Sequence, residues 1–397
     1  MDMDALLNEL QAGMQRRLLA LPERIRPFTT SFTSLPRAIS LTGPRGVGKT
    51  VFLLHHAKGK KILYMSADSP LLAGLKLYAI IKQAFLAGYE GVIVDEVHFA
   101  KDWSISLKAI YDEYPDRILW ISDSSSLILR SGTADLSRRF LQISMPLLSF
   151  REFLFLEYGN SYSPIEAFTN SSSYTDSFKV QPEPKILEAW QKYKQQGTRP
   201  FYSEGNFSER LIAIMEKSLY YDIPFLVPSI TDNNLRLMSS VISTLAQSVI
   251  PRLHVSSLCA DWGIGSDKLY QLIGAMEAVG LLRVIRYEQD KKAKTAGAKL
   301  FLADPALYMV LGSNTGTARE AMVAMFCTNS GWNVYASKDE TKGDFIISQF
   351  HNGKVIRFLL EVGGSKKVKK SADFVIRDDI DLPGLTALPL WLLGMGW

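Results

Sequence analysis

The sequence predicts an α/β protein built on a parallel sheet that carries a phosphate-binding loop and a strand-end acidic pair. Three observations lead there. From Arg37 to Met145, short apolar runs rich in β-branched residues alternate with helical stretches, the pattern of strands covered on both faces. Residues 43–50 satisfy G-x-x-x-x-G-K-[ST] in full, directly after the first of those runs. The run that begins at Gly91 ends in Asp95 and Glu96, two carboxylates that would stand at the carboxyl edge of the sheet.

The chain has 397 residues, enough for about two or three domains. A composition 47% hydrophobic and 21% charged suits a folded core and argues against a disordered chain. Lys and Arg number 45 against 40 Asp and Glu, and a net charge of +5 permits nucleic-acid contact without requiring it. Cys259 and Cys327 form no CxxC pair, which excludes a disulfide scaffold and a cysteine zinc site and fits the reducing cytoplasm. No basic segment followed by an apolar one opens the chain, so no signal peptide is expected. The apolar run Leu382–Trp397 holds two prolines and three glycines and is too short to span a bilayer; a buried C-terminal strand is expected there.

In chain order, Leu6–Leu21 reads as a lead-in helix. Strands are expected at Ala38–Thr42, Lys61–Ser66, Gly91–Asp95, Ile118–Ser122 and Leu141–Met145, with helices near Thr50–Ala57, Ala73–Leu86 and Trp103–Glu113 between them. Residues 159–183, rich in Ser, Tyr, Pro, Asn and Thr, read as a loop. Helical patterns follow at Ile186–Gln195, Ser208–Leu219 and Asn233–Gln247. Leu253–Leu302 reads as a helix-turn-helix with a wing. Its second helix has Ser266 as N-cap, one apolar face (Leu269, Leu272, Ile273, Met276, Val279), and a stop at Gly280. The expected division is a P-loop core over 1–146, a helical lid over 147–250, a winged helix over 251–310 and a terminal α/β module over 318–397.

The loop of Gly43, Pro44, Arg45, Gly46, Val47, Gly48, Lys49 and Thr50 would cradle phosphates with its backbone amides. Lys49 would reach the β- and γ-phosphates of ATP, and the Thr50 hydroxyl would hold Mg²⁺. Asp95 would be the second Mg²⁺ ligand, and Glu96 would orient and deprotonate the attacking water. Ser124 either senses the γ-phosphate or caps the following segment. Arg138 or Arg139 either acts on a neighbouring subunit as an arginine finger, which requires an oligomer, or forms an ordinary surface ion pair. His98, His55 and His56 have no second His or Cys at ligand spacing, and structural hydrogen bonding is their expected role.

The stretch Leu41–Leu154 resembles the archaeal and bacterial AAA-type ATPases that carry a C-terminal restriction-endonuclease-like domain. The matching text, after the loop itself, is Tyr64-Met-Ser-Ala-Asp68 and Val94-Asp-Glu-Val-His98 with Asp102-Trp103. Leu107-Lys-Ala-Ile-Tyr-Asp112, Ser124-Ser125, Asp135-Leu-Ser-Arg-Arg139 and Leu148-Ser-Phe-Arg-Glu-Phe153 complete it. The resemblance continues to Pro389-Leu-Trp-Leu-Leu-Gly394. It implies an AAA-like sheet, helical lid, winged helix and nuclease-like end, with ATP hydrolysis as the activity. Asp123 departs from it, since the family usually has Gly before the serine pair, and this bears on the geometry of Ser124.

In the terminal module, Asp344 and Glu361 fit the metal-binding roles of a restriction-endonuclease-like site, but Gly363 stands where that site needs lysine. Lys366 or Lys367 is the substitute the sequence offers, and a module without cleavage is the expectation. Basic residues Arg283, Arg286, Lys291, Lys292, Lys294 and Lys299 near the wing, with Lys366, Lys367, Lys369 and Lys370, make nucleic acid a candidate partner. The would-be recognition helix carries only Lys268, and such a module also packs against protein, so a protein client is the other candidate. Besides an ATPase, a nucleotide-gated DNA-binding regulator and an Mg²⁺-dependent nuclease stay open.

Overall fold

The apolar runs of the first third become the strands of a five-stranded parallel sheet in the computed structural model: β1 (Ala38–Thr42), β2 (Ile62–Ser66), β3 (Gly91–Asp95), β4 (Ile118–Asp123) and β5 (Leu141–Ser144). Their order is β2-β3-β4-β1-β5, with every pair parallel. The structure describes residues 2–124, 136–168, 184–227, 229–248, 255–288, 298–312, 315–351, 353–364 and 371–397. The chain forms two compact units, residues 1–146 and 147–397.

In the first unit, β3 is buried at every position because helices cover both faces of the sheet. Among the described residues of this unit, the longer helices are α1 (Met3–Leu19), α2 (Lys49–Ala57), α3 (Leu77–Leu86) and α4 (Trp103–Glu113). Helix α1 buries Leu6, Leu7, Leu10 and Met14 along one stripe, and three of these leucines join the core cluster that contains Leu63, Val92 and Ile121. Helix α3 starts at Leu77, four residues later than its apolar pattern suggested. Pro70 opens a separate 3₁₀ turn, and Gly74 at φ 77° breaks the helical path before it can begin. Gly91 is required for strand contact: a Cβ there would lie 2.5 Å from the Ile118 side chain.

The second unit opens with α5 (Phe150–Tyr158), whose start is a capping box. The Ser149 hydroxyl accepts from the Glu152 amide at 3.0 Å, and the Glu152 carboxylate accepts from the Ser149 amide at 3.2 Å. Gly159 in the left-handed region ends it. Helices α6 (Pro184–Gln196), α7 (Phe207–Lys217), α8 (Asp232–Gln247), α9 (Val255–Trp262) and α10 (Ser266–Ala278) follow. Helix α10 is preceded by Gly265 in the cap position with no side-chain cap, so Ser266 is its first residue and not its N-cap. Strands β6 (Leu282–Ile285) and β7 (Lys299–Leu302) pair antiparallel as a two-stranded ribbon. After α11 (Thr315–Asn329) comes a mixed five-stranded sheet of β8 (Asn333–Ala336), β9 (Phe345–His351), β10 (Lys354–Gly363), β11 (Phe374–Arg377) and β12 (Ala387–Pro389). The apolar C-terminus, expected as one buried strand over Leu382–Trp397, is continuously buried only over residues 388–395, with Leu382 and Leu385 exposed, and it splits. Only Ala387–Pro389 pairs with β11, and Leu390–Leu393 turn into a short helix. Pro389 is the last paired residue, and without an amide it cannot donate onward in the ladder.

Candidate functional site

At the end of β1 the chain leaves the sheet through Gly43, where a Cβ would meet the Met145 carbonyl oxygen at 2.3 Å. Gly46 and Gly48 adopt φ of 76° and 101°, conformations L side chains rarely take, and α2 then starts at Lys49. The loop is braced from behind. The buried Arg26 donates Nη1 to the Val47 carbonyl at 2.7 Å and to the Pro146 carbonyl at 3.1 Å. Lys49 curls back over the loop, donating Nζ to the carbonyls of Gly43 at 2.8 Å and Pro44 at 3.2 Å. Burial pulls its ammonium below the ordinary lysine value, opposed by the nearby charges of Glu96, Asp95 and Asp123.

Parallel pairing sets β3 beside β2 and β4, and this collects donors around Asp95. Its Oδ2 accepts from the Thr50 hydroxyl at 2.6 Å and from the Tyr64 hydroxyl at 2.9 Å. Its Oδ1 accepts from Ser122 and from the Glu96 amide at 3.1 Å. Thr50 and Asp95 thus present adjoining hydroxyl and carboxylate oxygens, the hard donor set that Mg²⁺ prefers. Burial and the facing carboxylate of Asp95 push the Tyr64 phenol well up, so it stays a donor.

Glu96 has a left-handed backbone, φ 48° and ψ 49°, which costs a non-glycine residue on the order of 1–2 kcal/mol. Its Oε1 lies 3.1 Å from Arg45 Nη1, and its Oε2 accepts from the Ser124 hydroxyl at 2.8 Å. Burial raises its carboxyl above the usual range, offset by Lys49 and Arg45. Asp123, fully buried, faces His98: its Oδ2 accepts from the His98 amide at 3.3 Å and meets ring Nδ1 at 2.8 Å. A carboxylate partner makes Nδ1 the protonated nitrogen. Glu96, His98 and Asp123 offer ligand atoms within 4.8 Å of one another, but the His98–Asp123 contact is already a direct hydrogen bond.

Loop, acidic pair and Ser124 therefore meet in one place. Arg139 is instead held within its own chain by Asp112, Nε and Nη2 each 2.9 Å from a carboxylate oxygen. Ser125, Ser126 and Asp135 lie outside the described residues. Sequence reading missed Arg26, Ser122 and the roles of Tyr64 and Asp123. The signal for the last two was present, since each is a polar residue in or ending an apolar strand.

Residues 35–154 match a family described as AAA domain. That match, on a sheet of five parallel strands with a P-loop, supports an AAA-type P-loop ATPase core and points to nucleotide binding and hydrolysis. The chain is 27% identical over 392 residues to the uncharacterized protein MJ1637 of Methanocaldococcus jannaschii, covering 87% of this chain and 82% of that one. Among solved structures, the Walker-type ATPase PABY2304 of Pyrococcus abyssi is similar at 13% identity and a TM-score of 0.42, over 70% of this chain and 91% of its own. A Thermotoga maritima RuvB variant is similar at 17% identity and a TM-score of 0.27, over 71% of this chain and 89% of its own. Neither superposition is close enough to carry a conclusion. Among the described residues no helix is long and apolar enough to cross a membrane.

A second cluster lies in the second unit. Asp344, just ahead of β9, is buried, and its Oδ2 accepts from the Val362 amide at 2.8 Å, beside Glu361 of β10. No lysine follows Glu361 at 363, and Lys366 and Lys367 lie outside the described residues. Lys299 of β7 reaches the cluster, with Nζ 2.6 Å from Glu320, 3.3 Å from Asp344 and 3.4 Å from Glu340. Burial alone would lower its ammonium; the three carboxylates together hold it above the ordinary value. Of the basic residues near the ribbon, Lys299 is thus internal, Arg283 is half-buried, and Arg286 is paired with Glu277 at 2.8 Å. Lys291, Lys292 and Lys294 lie outside the described residues.

Proposed function

We propose that the first unit binds Mg-ATP at residues 43–50 and hydrolyses it to ADP and phosphate. The observation that carries this reading is the 2.6 Å contact between the Thr50 hydroxyl and the Asp95 carboxylate, with Glu96 next in the chain and tied to the same loop. Lys49 and the loop amides bind the β- and γ-phosphates. Thr50 and Asp95 would hold Mg²⁺, which would supply neutralisation of the phosphate charge. Glu96 takes the proton of the attacking water, and the burial that raises its carboxyl makes it a stronger base than an exposed glutamate. Ser124, bonded to Glu96, orients the base or contacts the γ-phosphate. Arg139 acts in trans only if its pairing with Asp112 is released in an oligomer. The second unit is proposed to contain the lid, the winged helix and a nuclease-like module that respond to nucleotide state.

The test is phosphate release from ATP by the full chain, with and without duplex DNA. Glu96→Gln should keep ATP binding and lose about 100-fold or more of turnover, and Lys49→Ala should lose binding. Unchanged turnover in E96Q rejects the assignment. Stimulation by DNA would bring the nucleic-acid reading forward.

A second reading is favoured by one observation, the contact of Lys299 with Asp344 beside Glu361. It supplies from β7 the lysine that position 363 lacks, and an Mg²⁺-dependent nuclease then predicts DNA cleavage that Asp344→Asn abolishes. No cleavage by the wild-type chain with Mg²⁺ removes this reading.

A further inference from the structure

The ion pair between Arg45 and Glu96 joins a residue of the phosphate loop to the general base assigned above. The inference drawn from it rests on that ATPase reading. Both side chains are largely withdrawn from water, Arg45 being 10% and Glu96 14% exposed. An ion pair so placed is held more tightly than one on the surface. Glu96 is also fixed from the other side, by Ser124 at the tip of β4, and its left-handed backbone leaves little freedom to reorient. Lys49 and Arg45, the two cations of the loop, are therefore both turned onto groups of the protein: Lys49 onto the Gly43 and Pro44 carbonyls, Arg45 onto Glu96. The other charges facing Glu96 are those of Asp95 and Asp123, with His98 Nδ1 3.8 Å from its Oε2.

An arginine in this loop position has two anions to choose between. Guanidinium binds phosphate oxygens with the same fork it offers carboxylates, and a terminal phosphate carries more charge than Glu96. A diphosphate brings no such terminal group to the same place.

We propose that Arg45 is a positioning residue that pairs with Glu96 and releases it when a γ-phosphate takes the guanidinium. The base then becomes available to water only when a triphosphate is bound. Arg45 and Glu96 are consequently coupled in triphosphate affinity. Removing the Glu96 charge frees Arg45 in advance and tightens triphosphate binding, while the same change without Arg45 relieves only the repulsion between carboxylate and phosphate.

The experiment is a double-mutant cycle on the full chain, read as calorimetric affinity for Mg²⁺ with the β,γ-imido analogue of ATP and, separately, with ADP. The four proteins are wild type, Arg45→Gln, Glu96→Gln and the double variant. The tightening caused by E96Q should be about tenfold larger in the wild-type background than in the R45Q background, within the range of coupling for contacting charges. With ADP the two backgrounds should agree within about twofold. Equal tightening in both backgrounds for the triphosphate overturns the proposal, and so does equal coupling for ADP. If R45Q does not fold, Arg45→Lys replaces it, keeping charge without the fork, and the coupling should shrink but persist; an unchanged coupling overturns the proposal. A wild-type chain that binds the analogue no better than Lys49→Ala would instead remove the ATPase reading itself.

Discussion

Tyr64 offers a sharp test of how the Asp95 carboxylate is held. Tyr64→Phe deletes one hydroxyl and leaves the ring, which is 4% exposed and lies under the Arg17 guanidinium at 4.9 Å. The lost bond is a 2.9 Å donation to a buried carboxylate. A hydrogen bond to a charged group contributes about 1.5–3 kcal/mol. Asp95 keeps Thr50, Ser122 and the Glu96 amide as donors, so the lower end of that range applies, about 1.5 kcal/mol. For a unit of this size that corresponds to a fall in Tm of about 3–6 °C. Thermal unfolding of the full chain, followed by circular dichroism without nucleotide, measures it. A Tm unchanged within error would mean that the Tyr64 hydroxyl is not bonded to Asp95 in solution, and the account of the donor ring would be wrong.

Gly43→Ala places a methyl 2.3 Å from the Met145 carbonyl oxygen, so the loop must shift and ATP affinity should fall at least about tenfold, measured by calorimetry; retained affinity would show that the loop can relax. Lys299→Ala leaves Glu320 and Asp344 without their cation and should cost about 3–5 kcal/mol by denaturant unfolding. Because burial already raises the Glu320 carboxyl, this variant's folded state should bind protons more readily than its unfolded chain. Its deficit should therefore shrink as pH falls and be largest near neutrality; a deficit independent of pH would refute the charge argument. Of the two free thiols, Cys327 is buried in α11 and its thiol is pushed far up by burial, whereas Cys259 is half-buried. One equivalent of a thiol reagent should react in the native protein and two after unfolding; two fast equivalents would contradict the packing of α11.

Strands β1 to β4 of the first unit were legible because each is a short, mostly apolar run that is buried, and buried parallel strands need little else, whereas the edge strand β5 is exposed at three of its four positions. The loop was legible for a different reason, since backbone curvature around phosphate demands glycine at fixed spacing. Errors gathered where one residue overrides a pattern. Gly74 delayed α3, Gly265 took the cap position expected for Ser266, and Pro389 cut short a strand whose apolar run continues into a helix. Lys299 was counted among solvent-facing basic residues because a lone charge in the text of a strand carries no mark of its partners, and those partners lie 21 to 45 residues further along the chain.

What the sequence by itself determined is the set of groups the first unit can offer: the glycine loop 43–50, the Thr50 hydroxyl and the adjacent carboxylates of Asp95 and Glu96, to which the proposed ATPase reading gives Mg²⁺ and water. These follow from residue type and local spacing, which a chain carries before it folds. What only the tertiary structure decided is which groups hold one another. Arg45 on Glu96, Tyr64 and Ser122 on Asp95, Asp123 on His98 and Lys299 on Asp344 all join residues brought together by strand register or by the packing of separate elements. Such contacts depend on three-dimensional adjacency, and no local pattern in the chain encodes their distance.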